Sequence, residues 1–462
     1  MTSFSEFSVW GLINLLAVLL IAMLAANLVK KSFRFLRNSL IPTSVLGGLM
    51  LLLIAEVYKA ITGEFMFDTA FFGGNGGTGL EILTYHALAL GFIASALKVG
   101  KNKTTKERGV EIFDTGITTV ATYLLQGILG LAITIVAALI MNGFFSAAGI
   151  LLPFGYGQGT GQALNYGTIY EQDYSFTGGA HFGLTIAALG FISASIGGVI
   201  HLNVMKRRGK YSSLDHDVAD KLTTEDVQSA EEIALNGSID KLTVQIALVF
   251  VSYVLTFLFM FGLSKLAPKL STTLFGFNFL FGVLMATLVK LVISFFRKKK
   301  IMKKQYVNNF LMNRISGFFF DLMVIAGIAA IRIETLKNYV AVIAVLGVVG
   351  AVSTYFYNKF IARKLFPAYS EEQFLAMYGM LTGTASTGVI LLREIDKDFR
   401  TPAADNLVYQ QIPAIVFGFP IMLLATFAPE NPVATLLILI GFFVVLNLIL
   451  FRRCIFKKKK KQ

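Results

Sequence analysis

Gly155-Tyr156-Gly157-Gln158-Gly159-Thr160-Gly161 and Thr382-Gly383-Thr384-Ala385-Ser386-Thr387-Gly388 interrupt otherwise apolar sequence, one string in each half of the chain. Each is soon followed by acidic residues beside an aromatic, Glu171-Gln172-Asp173-Tyr174 and Asp396-Lys397-Asp398-Phe399. Lipid offers no hydrogen bonds, so backbone that leaves the helix survives at membrane depth only inside protein or around a wet cavity. Matched interruptions in two halves of a membrane chain point to a solute-binding site between them.

The rest of the chain supplies the membrane. Of 462 residues, 55% are hydrophobic and 15% charged, against about 25% charged in soluble domains. The apolar residues come in runs near twenty long, the length that crosses a bilayer. Spans are expected at 9–29, 40–60, 79–98, 110–141, 179–204, 241–263, 272–296, 308–331, 338–360, 403–427 and 432–451. The net charge of +14 sits in blocks flanking these runs, which the preference for positive cytoplasmic loops explains better than nucleic-acid binding. The single Cys454 excludes an internal disulfide framework and a cysteine-ligated metal. No basic region precedes the first run, whose only early charge is Glu6, so that run reads as a retained span.

The basic clusters are Lys30/Lys31/Arg34/Arg37, Lys98/Lys101/Lys103/Lys106/Arg108, Lys206/Arg207/Arg208/Lys210, Arg297 to Lys300 with Lys303/Lys304, Lys359/Arg363/Lys364, and Arg452/Arg453 with Lys457 to Lys461. Placing all of them in the cytoplasm gives a consistent trace, with the N-terminus outside and the C-terminus inside. The trace then forces 142–178 to enter and leave from outside, and 373–400 to dip in from the cytoplasm. The expected fold is therefore all-α and polytopic, an inverted repeat of five spans plus a re-entrant hairpin in each half. The first repeat occupies 1–205, a cytoplasmic linker 206–240, the second repeat 241–428, and an extra span with a basic tail 429–462. The loop Gly73 to Gly79 reads as external and flexible. It lacks the lysine that a phosphate-cradling loop needs.

Chemistry-bearing residues cluster at the interruptions. Glycine permits backbone that exposes carbonyls and amides. Thr160 opens a half-helix whose N-terminal amides suit an anion, with Gly159, Gly161, Gln158 and Asn165 around it. Thr384, Ala385, Ser386 and Thr387 stand in the same relation to a half-helix at Val389 to Leu392. Exposed oxygens at Gly157, Thr382 and Gly383 suit Na⁺, and Asp321, deep in an apolar run, is a further candidate ion ligand or proton carrier. The same small and hydroxylated residues also serve close helix packing. Arg393 either neutralises a substrate carboxylate or anchors the end of a helix. His86, His181 and Glu81 fall near external span ends, where interface solvation explains them. Glu171/Asp173 and Asp396/Asp398 read as solvated hairpin exits, and Gln410 and Gln411 as cross-helix bonds or site residues. No hydrolase triad, metal-ligand cluster or nucleotide loop is present in the pattern, so an enzyme is not expected.

These residues resemble the glutamate:sodium symporter (ESS) family. The likeness rests on Ile41-Pro42-Thr43-Ser44-Val45-Leu46-Gly47-Gly48-Leu49, on Gly159-Thr160-Gly161, on Gly379 with Gly383 to Thr387, and on Ser195-Ile196-Gly197-Gly198. It runs over nearly the whole chain at low identity. It implies Na⁺-coupled uptake of glutamate or a related small anionic solute across a bacterial cytoplasmic membrane. It also implies elevator-like alternating access in a homodimer, with Na⁺ as coupling ion and no other cofactor. The chain departs from the family where Gly155-Tyr156-Gly157-Gln158 replaces a usual Gly-Gly-His, where Ser386 replaces a proline, and in its extra C-terminal span. Carriers of other carboxylates, such as 2-hydroxy acids, and a channel or membrane receptor are the alternatives.

Overall fold

In the computed structural model, residues 4–99, 105–208, 239–302, 304–396 and 400–455 are described. Most of the linker 206–240, Lys101, Lys103, Lys210, Lys303, Asp398 and Lys457 to Lys461 lie outside them. Among the described residues there are helices and no strands. The main ones are α1 (Phe7–Ser32), α2 (Thr43–Thr62), α3 (Gly76–Leu97), α4 (Lys106–Ile140), α5 (Thr160–Tyr174), α6 (Gly179–Arg207), α7 (Lys241–Leu266) and α8 (Asn278–Lys298). They continue with α9 (Asn309–Ala329), α10 (Val340–Leu365), α11 (Ser370–Thr382), α12 (Ala385–Arg393), α13 (Ala403–Tyr409), α14 (Gln411–Phe427) and α15 (Pro432–Leu450). Ten helices among the described residues are long and apolar enough to cross a membrane, or eleven with the bent pair around residue 410 counted as one span.

Burial shows what surrounds them. In α1 only a narrow stripe, Gly11, Leu15, Leu19, Ala22 and Ala26, is buried. Leu12, Ile13, Ile21, Leu24 and Leu28 stand exposed on its other faces. A helix apolar all round with one protein-facing stripe is stable in lipid and not in water. The chain is a multi-pass membrane protein.

Two long-helix pairs tie the halves together, and both run antiparallel. Along α3 and α9, the Lys98 ammonium donates to Asn313 Oδ1 at 2.9 Å, and the Ser316 hydroxyl donates to the Gly91 carbonyl at 2.9 Å. Along α4 and α10, Gln126 donates to Thr354 Oγ1 at 2.8 Å and Asn358 to Thr122 Oγ1 at 3.3 Å. In both pairs one residue number rises as its partner's falls.

Each interruption is a helix–break–helix hairpin. Before the first break, residues 146–158 form short helical turns. The Phe154 ring stacks on Tyr166 of α5 at 4.1 Å between centroids. Gly159 makes the break with φ +86°, a conformation open to glycine and strained for other residues. In the second hairpin α11 and α12 touch backbone to backbone, because a Cβ on Gly379 would lie 2.7 Å from the Gly388 Cα. The span expected at 403–427 is instead broken: α13 and the helix from Pro413 meet at 52°. Pro413 lacks the amide proton an unbroken helix would use there. The Gly73 to Gly79 loop is also more ordered than expected, since Gly76 opens α3 and the Gly77 amide donates to Asp68 Oδ1 at 3.1 Å.

The last span packs beside α4 and α10. The Tyr357 hydroxyl donates to Asn447 Oδ1 at 2.9 Å, and Arg452 pairs with the buried Asp114 carboxylate at 2.7 Å. A carboxylate removed from water needs such a partner.

Candidate functional site

Three breaks meet around one cavity. About 920 Å³ of space lies between its walls, open solvent included. Gly157 and Gln158 contribute from the first hairpin, Gly383, Thr384, Ala385 and Ser386 from the second, and Gln410 and Gln411 from the α13–α14 bend. The lining also carries Phe92, Phe279, Phe320 and Phe419, together with Met422, with Met323 beside the Gly159 break and with Met380 against Gln410. Among the described residues, none that lines the cavity is an acid, a lysine, an arginine or a histidine. A solute there meets neutral amides, hydroxyls and backbone together with aromatic surface.

The α12 N-terminus supplies the polarity. Thr384 caps the helix, its side chain accepting from the Thr387 amide at 3.4 Å. Ala385 and Ser386 follow in the first turn and line the cavity, with Ser386 exposed to it. First-turn amides have no partner within their own helix and carry the positive end of its dipole. The α5 terminus lies behind the first tip. Thr160 is fully buried, and its hydroxyl donates to the Met323 carbonyl at 3.1 Å. A Cβ on Gly159 would lie 3.9 Å from the Gly383 carbonyl oxygen, so the two breaks are near neighbours. Tyr123 of α4 joins them, its hydroxyl donating to the Gly157 carbonyl at 3.0 Å beside the cavity.

Of the residues singled out from sequence, Gly157, Gln158, Gly383, Thr384, Ala385 and Ser386 come together at this cavity. Others serve the scaffold around it. Gly161 packs against Leu88. Asn165 donates to Gln162 Oε1 at 2.8 Å and to the Gly276 carbonyl at 3.1 Å. Thr387 is buried in the capping turn, and the Thr382 hydroxyl donates to the Tyr378 carbonyl at 2.6 Å. Asp321 lies beside Ser44 of α2 and does not line the cavity. Arg393 is exposed at the other end of α12.

Two expectations of solvation fail. His181 is buried, as is Asp396, whose carboxylate accepts from the Arg400 amide at 2.8 Å and the Thr401 amide at 2.9 Å and so closes the turn after α12. His86 is exposed, with its Nδ1 2.5 Å from the Tyr253 hydroxyl.

Sequence reasoning missed Tyr123 and the aromatic wall. A signal for the first existed: α4 carries Thr115, Thr118, Thr119, Thr122 and Gln126, all buried, at three- and four-residue spacing in an apolar run. Gln410 connects the cavity to that stripe, its Oε1 accepting from the Thr119 hydroxyl at 2.9 Å. The phenylalanines had no signal, being a few among 42 in the chain. Comparison with known proteins adds no name to this geometry: no family model matches the chain, and neither does any curated protein.

Proposed function

We propose that the chain is a secondary carrier that moves a small anionic solute by alternating access, coupled to Na⁺. The observation that carries this reading is the cavity itself, where the breaks of two hairpins meet in a protein made of membrane-length helices. Its polar side is charge-free, and the α12 amides at Ala385 and Ser386 give a carboxylate partial positive charge without a fixed cation. A neutral site binds an anion and releases it again, which a carrier requires. The antiparallel pairing of α3 with α9 and of α4 with α10 supports an inverted repeat. The hairpins then enter from opposite faces, the first repeat spanning 1–205 and the second 241–428.

Glutamate is the solute that the sequence resemblance favours. The amide groups of Gln158 and Gln411 offer acceptors for its ammonium group and donors for its second carboxylate, while the Gln410 amide is taken up by Thr119 and Met380. The wall of Phe92, Phe279, Phe320 and Phe419 favours a second reading, a carboxylate with an apolar tail. Uptake into proteoliposomes separates the two, with labelled glutamate competed by a panel of amino, hydroxy and aliphatic carboxylic acids, with and without an inward Na⁺ gradient. Gradient-driven accumulation and counterflow of one of these acids are expected. Accumulation indifferent to Na⁺ removes the coupling ion, and flux without counterflow removes the carrier.

A further inference from the structure

The α4–α10 contact behind the cavity holds a set of oxygen atoms that the solute site does not use. Thr122 and Gln126 lie one turn apart on α4, and Thr354 and Asn358 one turn apart on α10, none more than 2% exposed. Their hydrogen bonds are reciprocal. The amide of each long side chain donates to the threonine of the other helix, Gln126 to Thr354 and Asn358 to Thr122. This is the pattern of a local twofold axis between the halves.

Counting donors shows what the cluster lacks. The second Gln126 proton goes to the Leu381 carbonyl at 2.9 Å, and the second Asn358 proton to the Thr354 carbonyl at 2.9 Å. Carbonyls only accept, so they fix which way each amide faces. The Thr122 hydroxyl donates to the Thr118 carbonyl at 2.8 Å. The Thr354 hydroxyl accepts from Gln126, and no acceptor among the described residues takes its proton. The open acceptors are the two amide oxygens. Gln126 Oε1 and Asn358 Oδ1 are buried, and no donor among the described residues reaches either. Buried polar atoms are rarely left unsatisfied, and a partner for these two has to bring positive charge or protons.

We infer that Gln126 Oε1 and Asn358 Oδ1, with the Thr122 and Thr354 hydroxyl oxygens, form a binding site for a monovalent hard cation, Na⁺ in this carrier. The donor set is all oxygen and all neutral. It lacks the carboxylates that divalent Ca²⁺ or Mg²⁺ sites use and the sulfur or imidazole that transition metals prefer. Its place suits coupling, and in that respect the inference rests on the carrier reading above. Gln126 holds the Leu381 carbonyl immediately before the Thr382-Gly383 break, and Tyr123, one turn earlier, holds the Gly157 carbonyl of the other tip. A cation on Gln126 therefore fixes one face of α4 against both hairpin tips.

The test is equilibrium binding of ²²Na⁺ to the purified full chain in nanodiscs, without solute, alongside Na⁺-dependent thermal stability against choline. Saturable Na⁺ binding is expected for the natural sequence. Gln126→Met and Asn358→Leu are expected to raise the half-saturating Na⁺ concentration by about tenfold or more, the scale of losing a ligand or its support. Gln126→Glu, which keeps the oxygens, retains binding. Thr354→Val, a milder change, carries the same prediction should either larger substitution fail to fold. If the natural protein binds Na⁺ and the folded variants bind it equally well, the site is wrong and a water satisfies the two amides, while sodium coupling stands. If the natural protein binds no Na⁺, the site and the coupling both fall.

Discussion

Gly157→Ala is the sharpest perturbation of the cavity. A Cβ at this position would lie 2.1 Å from Tyr123 Cε1 and 2.5 Å from Cδ1. Ordinary carbon contacts begin at about 3.5 Å, so the ring has to retreat by roughly 1.4 Å. The Tyr123 hydroxyl donates to the Gly157 carbonyl at 3.0 Å, and a retreat of that size takes it past the reach of a hydrogen bond. The bond is worth about 1 kcal/mol and the overpacking about 1–3 kcal/mol. The total of about 2–4 kcal/mol corresponds to roughly a 30- to 1,000-fold loss in uptake efficiency if the cavity wall must re-form for solute to bind. Tyr123→Phe isolates the bond, without the clash, and is expected to cost only about fivefold. The assay is initial-rate uptake into proteoliposomes, with solute-dependent thermal stability as a second readout. Gly157→Ala transporting as well as Tyr123→Phe would refute the steric reasoning and detach Tyr123 from the site.

Other outcomes follow from the same geometry. Asp321 lies outside the cavity, so in Asp321→Asn solute-induced stabilisation and the Na⁺ requirement are expected to persist; loss of Na⁺ dependence in uptake would return Asp321 to the ion path. Gly183→Ala places a Cβ 2.3 Å from the Ala163 carbonyl oxygen, and since backbone cannot rotate away, the α5–α6 contact should open and the melting temperature drop by several degrees or the protein fail to assemble. The Glu371 carboxylate is held below the usual range chiefly by its hydrogen bond from His201, 2.8 Å away, with neighbouring positive charge adding to it. A depressed acid stabilises above its unfolded value, and that contribution fades as pH falls through the lowered value. Glu371→Gln should therefore be less stable at neutral pH and lose this acid-side component in a melting-temperature profile, and an unchanged profile would show that the pair contributes nothing.

Much of this architecture was legible because lipid makes the rules severe. An apolar run of span length has few alternatives, and the observed helices fall close to the expected spans. The two strings were legible for the same reason, since Gly159 and Gly383 sit where a helix in lipid would otherwise continue. The bend at Gln410 was not read, although Pro413 announced it, because the run 403–427 is apolar enough to pass as one span. Within the strings, composition pointed at every hydroxyl and amide alike. Only packing separates Ser386, which faces the cavity, from Thr382, whose hydroxyl bonds the Tyr378 carbonyl, and Thr387, whose hydroxyl meets that of Thr384. Burial also decides Asp396, which a local turn to Arg400 and Thr401 encloses, and His181, whose surroundings come from elements distant in sequence. The tetrad of Thr122, Gln126, Thr354 and Asn358 was hidden for that reason, as each half reads alone as a polar turn.

The central claim is that the two interruptions build one solute site. Replacing Cys454 with serine leaves a chain without cysteine, into which Gln158→Cys and Ser386→Cys are introduced singly and labelled with a membrane-impermeant thiol reagent in proteoliposomes of both orientations. The solute that drives counterflow should protect both cysteines in the presence of Na⁺, at the same half-protecting concentration. Protection of one without the other would contradict a shared site and leave the two strings as separate packing motifs.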